Sequence, residues 1–234
     1  MEKGQHAFAS NRNFKPGEII TFGTYSQSKD GKELPIEWRV LHNSGSELFV
    51  LSEYILECKR YHGKSADIKW RDCVDITWHD CDLREWLNDE FYNSAFNAAE
   101  KELIKTTRCS DNGEGTPDTE DNVFLLSVDE IKAFSEIHGK ELRRAFGTEF
   151  AKSKKHDGCN LYVYDKTDKD NYKIKDGEEV GCSWWWLRTQ GNKPSRAFFV
   201  GPSYSIRSYA NVSVARDGVR PAMVINLHDK DNRF

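Results

Sequence analysis

The side chains best suited to chemistry lie in the last third of the chain. Trp184, Trp185, Trp186 and Arg188 put three indoles and a guanidinium into one short run. In a strand, successive side chains face opposite ways. Trp185 and Leu187 then share one face, and Trp184, Trp186 and Arg188 share the other. Two readings are open. Exposed, the Trp184, Trp186 and Arg188 face is a platform for a ring-bearing or sugar-like ligand. Buried, it belongs to a central strand covered on both sides, with Arg188 stacked on a ring or paired to a carboxylate. A second cluster follows within Phe198 to Arg220: Tyr204, Arg207, Tyr209, Asn211, Arg216 and Arg220. Tyr, Arg, Asn and Ser are the residue types that adaptable binding surfaces favour. The bland alternative is an ordinary hairpin with polar outer residues. The candidate ligand-binding residues are therefore Trp184, Trp186, Arg188, Tyr204, Arg207, Tyr209, Asn211 and Arg216.

Other constellations carry less. Asp111, Glu114, Asp118, Glu120 and Asp121 lie in one loop, and Asp165, Asp168, Asp170 and Asp176 in another. Calcium wants about six to eight oxygens, but neither loop follows the EF-hand order, and solvated loops explain both. Ca²⁺ is the one cofactor these loops suggest, and the cofactor is otherwise unspecified. His79-x-Cys81 with Cys73 supplies three metal ligands without a recurring template. The six cysteines (Cys58, Cys73, Cys81, Cys109, Cys159 and Cys182) lack zinc-ribbon and thioredoxin spacings. Met1 to Asn13 holds no secretory apolar region. Reduced, buried thiols are expected over disulfides, which belong to short secreted chains. The chain as written reads as cytoplasmic, and as extracellular if a leader has been trimmed. It contains no G-x-S-x-G, P-loop, H-E-x-x-H or G-x-G-x-x-G. No catalytic residue is assigned, and a non-enzyme is expected.

These residues need a scaffold, and the composition limits it. The 234 residues carry 34 Lys and Arg against 38 Asp and Glu, a net charge of −4. That balance offers no bulk attraction to nucleic acid or anionic lipid. No apolar run approaches the ~20 residues of a membrane span. The chain is light in aliphatic residues, so its core must lean on rings.

Ile19 to Tyr25 reads as a strand with Gly23 inside it. Ile36 to Leu41 and Glu47 to Ser52 read as a hairpin with Ile36, Trp38 and Val40 on one face. Thr77 is placed to cap a helix carrying Leu83, Trp86 and Leu87. Asn97 to Glu100 and Ser127 to Glu130 are capping-box patterns, and the second helix should stop near Gly139. Val123 to Leu126, Leu161 to Tyr164, Ser183 to Thr189, Ala197 to Val200, Ala210 to Ala215 and Met223 to Leu227 are candidate strands. Arg216-Asp217-Gly218 reads as a hairpin turn. No linker divides the chain, so residues 1–234 read as one α+β domain with a core over about 19–227.

Five ordered segments carry a resemblance: Ile36 to Leu41, Thr77 to Asn88, Val123 to Ser127, Trp185-Trp186-Leu187-Arg188, and Gly218-Val219-Arg220-Pro221-Ala222. In this order they resemble a bacterial family of domains of unknown function, common in gut microbes and often attached to larger surface proteins. The C-terminal pattern is similar to the C-type lectin fold, in the branch shared by formylglycine-generating enzymes and the variable proteins of diversity-generating elements. The resemblance implies a twisted antiparallel sheet with flanking helices, with ligands meeting the loops and strands of the C-terminal sheet. The calcium motifs of true C-type lectins (Glu-Pro-Asn and Trp-Asn-Asp) are missing. Cys159 and Cys182 stand in no context matching the reactive pair of the sulfatase-activating enzymes, and the iron-binding His pattern of the related sulfoxide synthases is absent too. The function implied is a non-enzymatic module binding a protein, a glycan or a small polar ligand. The alternatives are a formylglycine-generating-type oxidoreductase using Cys chemistry and a structural or assembly domain.

Overall fold

Alternating burial organises the N-terminal third. β1 (Ile19–Ser26), β2 (Glu33–Asn43) and β3 (Glu47–Ser52) form an antiparallel meander. Ile36, Trp38 and Val40 are fully buried, as their alternation requires. Gly23 sits at a break in the β1–β2 register with φ +70°. A Cβ there would meet the Phe96 ring at 2.6 Å, so only glycine lets the strand lie against that ring. The computed structural model describes residues 13–63, 75–153, 155–164, 181–201 and 203–227. Cys73 and the acidic run Asp165 to Asp176 lie outside them.

Two five-stranded sheets carry the fold. The first has the order β1-β2-β3-β12-β5, with β5 at Ile104–Lys105 and β12 at Ala222–Asn226. The second runs β10-β9-β8-β11-β4. Its strands are β4 (Glu57–Cys58), β8 (Trp185–Gln190), β9 (Arg196–Val200), β10 (Ile206–Asn211) and β11 (Gly218–Val219). A short ribbon joins β6 (Thr107–Cys109) to β7 (Thr119–Asp121). The α+β class holds. The expected antiparallel character needs one correction, because β11 runs parallel to β8 at Gly218 and Trp185.

Helix starts follow their caps. α1 (Asp82–Trp86) begins after Cys81, whose Sγ accepts the Arg84 N–H at 3.4 Å. Thr77 does not cap it; its hydroxyl donates to Asp80 instead, within a turn that precedes the helix. The chain continues through a π-helical turn (Leu87–Phe91) into α2 (Tyr92–Ala95). Both capping boxes are present: Asn97 with Glu100 opens α3 (Ala98–Leu103), and Ser127 with Glu130 opens α4 (Val128–His138). Gly139, at φ +88°, follows the end of α4. A final short helix, α5, spans Glu149–Lys152.

Three expected strands change. Val123 to Leu126 is fully buried but only Phe124 bridges another strand, at Ala222. Asn88 holds both backbone groups of Val123, the Arg188 guanidinium takes the Leu125 carbonyl, and the Arg188 backbone N–H donates to the Leu126 carbonyl. Leu161 to Tyr164 contributes only a bridge from Val163 to Ser183. The strand expected over Ala210 to Ala215 ends at Asn211, whose side-chain oxygen accepts from the Ser213 N–H and turns the chain. Arg216-Asp217-Gly218 is not a hairpin turn, because Gly218 is drawn into β11 between β8 and β4.

The second sheet closes around Arg188. This guanidinium is 2% exposed. It donates to Asn112 Oδ1 (3.0 Å), Leu125 O (2.7 Å) and Ser110 O (2.8 Å), and bidentately to Glu130 (2.5 and 2.8 Å). Removing one partner of such a pair leaves the rest buried and unanswered. Arg188→Met is expected to cost about 3–5 kcal/mol, a large share of a typical total of about 5–15 kcal/mol. Arg216→Met, on an exposed side chain, should stay within about 0.5 kcal/mol. Urea unfolding midpoints of the two variants check this, and equal midpoints would contradict it.

Candidate ligand-binding pocket

At its outer edge the second sheet holds a cavity of about 360 Å³. β8 places only the residue just before it, Trp184, at this opening. The strand itself is buried on both faces. Trp184 is half-buried and stacks on Tyr162, with ring centroids 4.2 Å apart and planes 15° from parallel. Phe199 of β9 meets Trp184 edge-on at 6.0 Å, and Tyr209 of β10 meets Phe199 at 5.5 Å and 84°. Four rings thus form one continuous wall.

Polar groups line the same space. Arg207 and Tyr209 alternate along β10 and are both exposed. Arg207 donates to the Ser205 hydroxyl (2.9 Å) and the Tyr209 hydroxyl (2.7 Å), which hold its guanidinium near the Tyr209 ring. Arg196 adds a second cation from β9, and Asn211 lies at the end of β10. Asp217 is 1% exposed, lines the cavity, and neither carboxylate oxygen has a hydrogen-bond partner among the described residues. Burial pushes its carboxyl up from 3.8 to about 8. A buried polar group without a partner is rare enough to require a reason.

The structure brings together four of the expected site residues: Trp184, Arg207, Tyr209 and Asn211. Tyr204 stands beside the cavity between two of its lining residues, Ser203 and Ser205, at φ +64°, with its ring against the Arg144 guanidinium. Arg216 is exposed and not part of the lining. The exposed platform is corrected for Trp186 and Arg188. Trp186 is fully buried, packs on Tyr61 and donates to the Lys59 carbonyl. Arg188 serves the core as described above. Tyr162, Arg196, Phe199 and Asp217 also line the cavity. Tyr162 stood out in sequence only as part of a short strand, and Asp217 only as a turn residue.

Three carboxylates of the first acidic loop are engaged by protein. Asp111 accepts the Asp129 N–H, Asp118 pairs with Arg108, and buried Asp121 holds Trp78, Arg84 and Thr119. Among the described residues no cluster of three or more His, Cys, Asp or Glu could hold a metal ion. Cys58, Cys81, Cys109, Cys159 and Cys182 are free and buried. No described helix is long and apolar enough to cross a membrane.

A family model described as a domain of unknown function, DUF6273, matches residues 45–227. That span takes in the whole cavity wall. No curated protein and no solved structure matches the chain.

Asp217 makes stability depend on pH with a definite sign. The folded state keeps its proton up to about pH 8, whereas the unfolded carboxyl releases it from 3.8. Over that window the unfolded state binds fewer protons, so stability falls as pH rises. The contribution is whole below 3.8 and gone above about 8. Wild type should therefore lose stability relative to Asp217→Asn as pH rises from about 4 to about 8. Urea titrations across that range check this, and parallel pH profiles would contradict it.

Proposed function

The chain belongs to the DUF6273 family of unknown function, and on that premise we propose that it is a non-enzymatic module binding a small polar ligand. The ligand has a ring face and an anionic group, the chemistry of an acidic saccharide. One observation carries the reading: a continuous four-ring wall, flanked by Arg196 and Arg207, borders a cavity lined also by a carboxyl with no partner among the described residues. Its volume falls within the roughly 300–1,000 Å³ of small-molecule sites. Rings offer flat apolar area at little entropic cost, and Arg matches carboxylate or sulfate geometry in a bidentate manner. The protein's net charge of −4 argues against a long polyanion as the partner. A Trp-rich central strand followed by β9, β10 and Val219-Arg220-Pro221-Ala222 supports a C-type lectin-like scaffold with one domain behind this face.

The alternatives have less behind them. Formylglycine-generating-type chemistry needs a reactive thiol pair where the substrate binds, and none of the described thiols lines this cavity. An assembly domain needs a broad apolar face. The exposed large apolar side chains among the described residues are Ile19, Leu34, Tyr54, Ile137, Phe146 and Tyr209, and they come from separate segments.

Screening arrays of acidic and neutral saccharides, followed by calorimetry on each hit, tests the proposal. Arg207→Ala and Tyr209→Ala should each weaken binding about tenfold or more, the scale of a binding hot spot. Both side chains are exposed, so the melting temperature should stay put. Trp184→Ala should lower both affinity and melting temperature, since its ring is stacked. An array without a binder, or full affinity in both exposed-residue variants, overturns the reading.

A further inference from the structure

Cys58 and Cys159 are distant in sequence and adjacent in the fold. Cys58 sits in β4, paired with Gly218. Its Sγ lies 3.8 Å from the Ala215 carbonyl, and that carbonyl also accepts the Asn160 N–H at 2.8 Å. The residue after Cys159 thus shares an acceptor with the Cys58 thiol, which sets the two cysteines on facing segments. Cys159 Sγ is also 3.5 Å from Arg60 Nη1 and 3.3 Å from Asp157 Oδ2. Arg60 is held in place by the Asp157 carbonyl at 3.0 Å.

This setting separates the pair chemically. The neighbouring Cys58 thiol brings the Cys159 thiol below its usual range, with Arg60 helping, against burial and Asp157. Closeness to Cys159 and burial push Cys58 up. One member is therefore the better thiolate, and the other is a protonated thiol beside it. Cys81 shows the contrast: burial pushes its thiol up to about 12. A groove of about 300 Å³ reaches Cys58, lined also by Glu57, Lys59, Lys155, His156 and Asp157.

We propose that Cys58 and Cys159 are a redox-active dithiol that closes to a disulfide when a peroxide reaches it. The Cys159 thiolate attacks one oxygen of hydrogen peroxide. The O–O bond breaks, leaving a sulfenic acid and a hydroxide that takes up a proton to become water. The Cys58 sulfur then attacks the sulfenic sulfur. The S–O bond breaks as the S–S bond forms, and the departing hydroxide takes the Cys58 proton as a second water. Two thiols lose two electrons and two protons, and one peroxide becomes two waters. A small thiol reductant such as glutathione reverses the bond by exchange. The bond ties β4 to the segment that runs on to Tyr162. The chemistry itself does not depend on what the cavity binds.

The test treats the folded, full-length chain with hydrogen peroxide, unfolds it, alkylates the remaining thiols and maps the peptides without reduction. The expected result is a peptide pair joined through Cys58 and Cys159, the loss of two alkylatable thiols, and their return with dithiothreitol. Cys81, Cys109 and Cys182 should stay alkylatable. In Cys58→Ser, Cys159 should stop at the sulfenic acid and take up dimedone. The decisive readout is on the unaltered chain, so no variant has to fold for the proposal to fail. It is overturned if all thiols stay alkylatable, if Cys58 or Cys159 joins a different cysteine, or if Cys159 is oxidised without the joined peptide.

Discussion

A guanidinium shut off from water needs a protein acceptor for its N–H groups, and Arg188 draws its acceptors from three separate segments. The turn at Ser110 to Asn112, the buried stretch at Leu125 and the first turn of α4 must all converge on one plane. Glu130 shows how tightly the parts interlock. Its carboxylate receives both Arg188 donors and closes the Ser127 capping box at the same time. The Val128 N–H donates to Thr189, and Thr189 donates to the Asp111 carbonyl. The far half of β8 is therefore dressed by a loop and a helix start as well as by strands. Burying charge is costly, and here the same side chains that neutralise it also set the register of their neighbours.

With β8 fixed in that way, its aromatic residues separate by position. Trp185 and Trp186 are hidden on opposite faces, each with its ring N–H bonded to a backbone carbonyl. Trp184 precedes the strand, and its ring is left for the cavity, where Tyr162 covers one side of it. The opening exists because the two outer strands, β9 and β10, bring Phe199, Arg207 and Tyr209 to the same edge. Asp217 owes its place to the neighbouring strand: Gly218 must enter β11, so the residue before it is pulled inside with its carboxyl unanswered among the described residues. A Cβ on Gly218 would strike Ile55 at 2.4 Å, which keeps that entry narrow.

Local signals were legible where local physics decides. The alternation of Ile36, Trp38 and Val40, both capping boxes, and the need for a central strand at Trp185 and Trp186 all appear in the folded chain. So does the concentration of binding-type residues on β10. Signals failed where a distant partner decides. Val123 to Leu126 has the composition of a strand, yet Asn88 and Arg188 take its backbone groups. Arg188 could be weighed as core or surface from sequence, but Glu130 could not be picked as its partner among many acids. Tyr162 reaches Trp184, and Cys159 reaches Cys58, only through chain reversals that no periodicity records. Asp217 has the sequence context of a turn and acquires its isolation solely from the strands on either side.

The order of the strands has a consequence for synthesis. β12 lies between β3 and β5, and β11 lies between β8 and β4. Each sheet thus needs a strand from Gly218 to Asn226, the last strands of the described chain, to join its edge strand to the rest. A growing polypeptide can form the β1–β3 meander and the β8–β10 ribbon early, since those contacts are local. It cannot bridge either gap until those residues have left the ribosome, and until then β3 and β8 each present an unfilled edge. A premature stop before Gly218 would release a chain with two such edges, a product marked for clearance or aggregation however well its first two hundred residues were made.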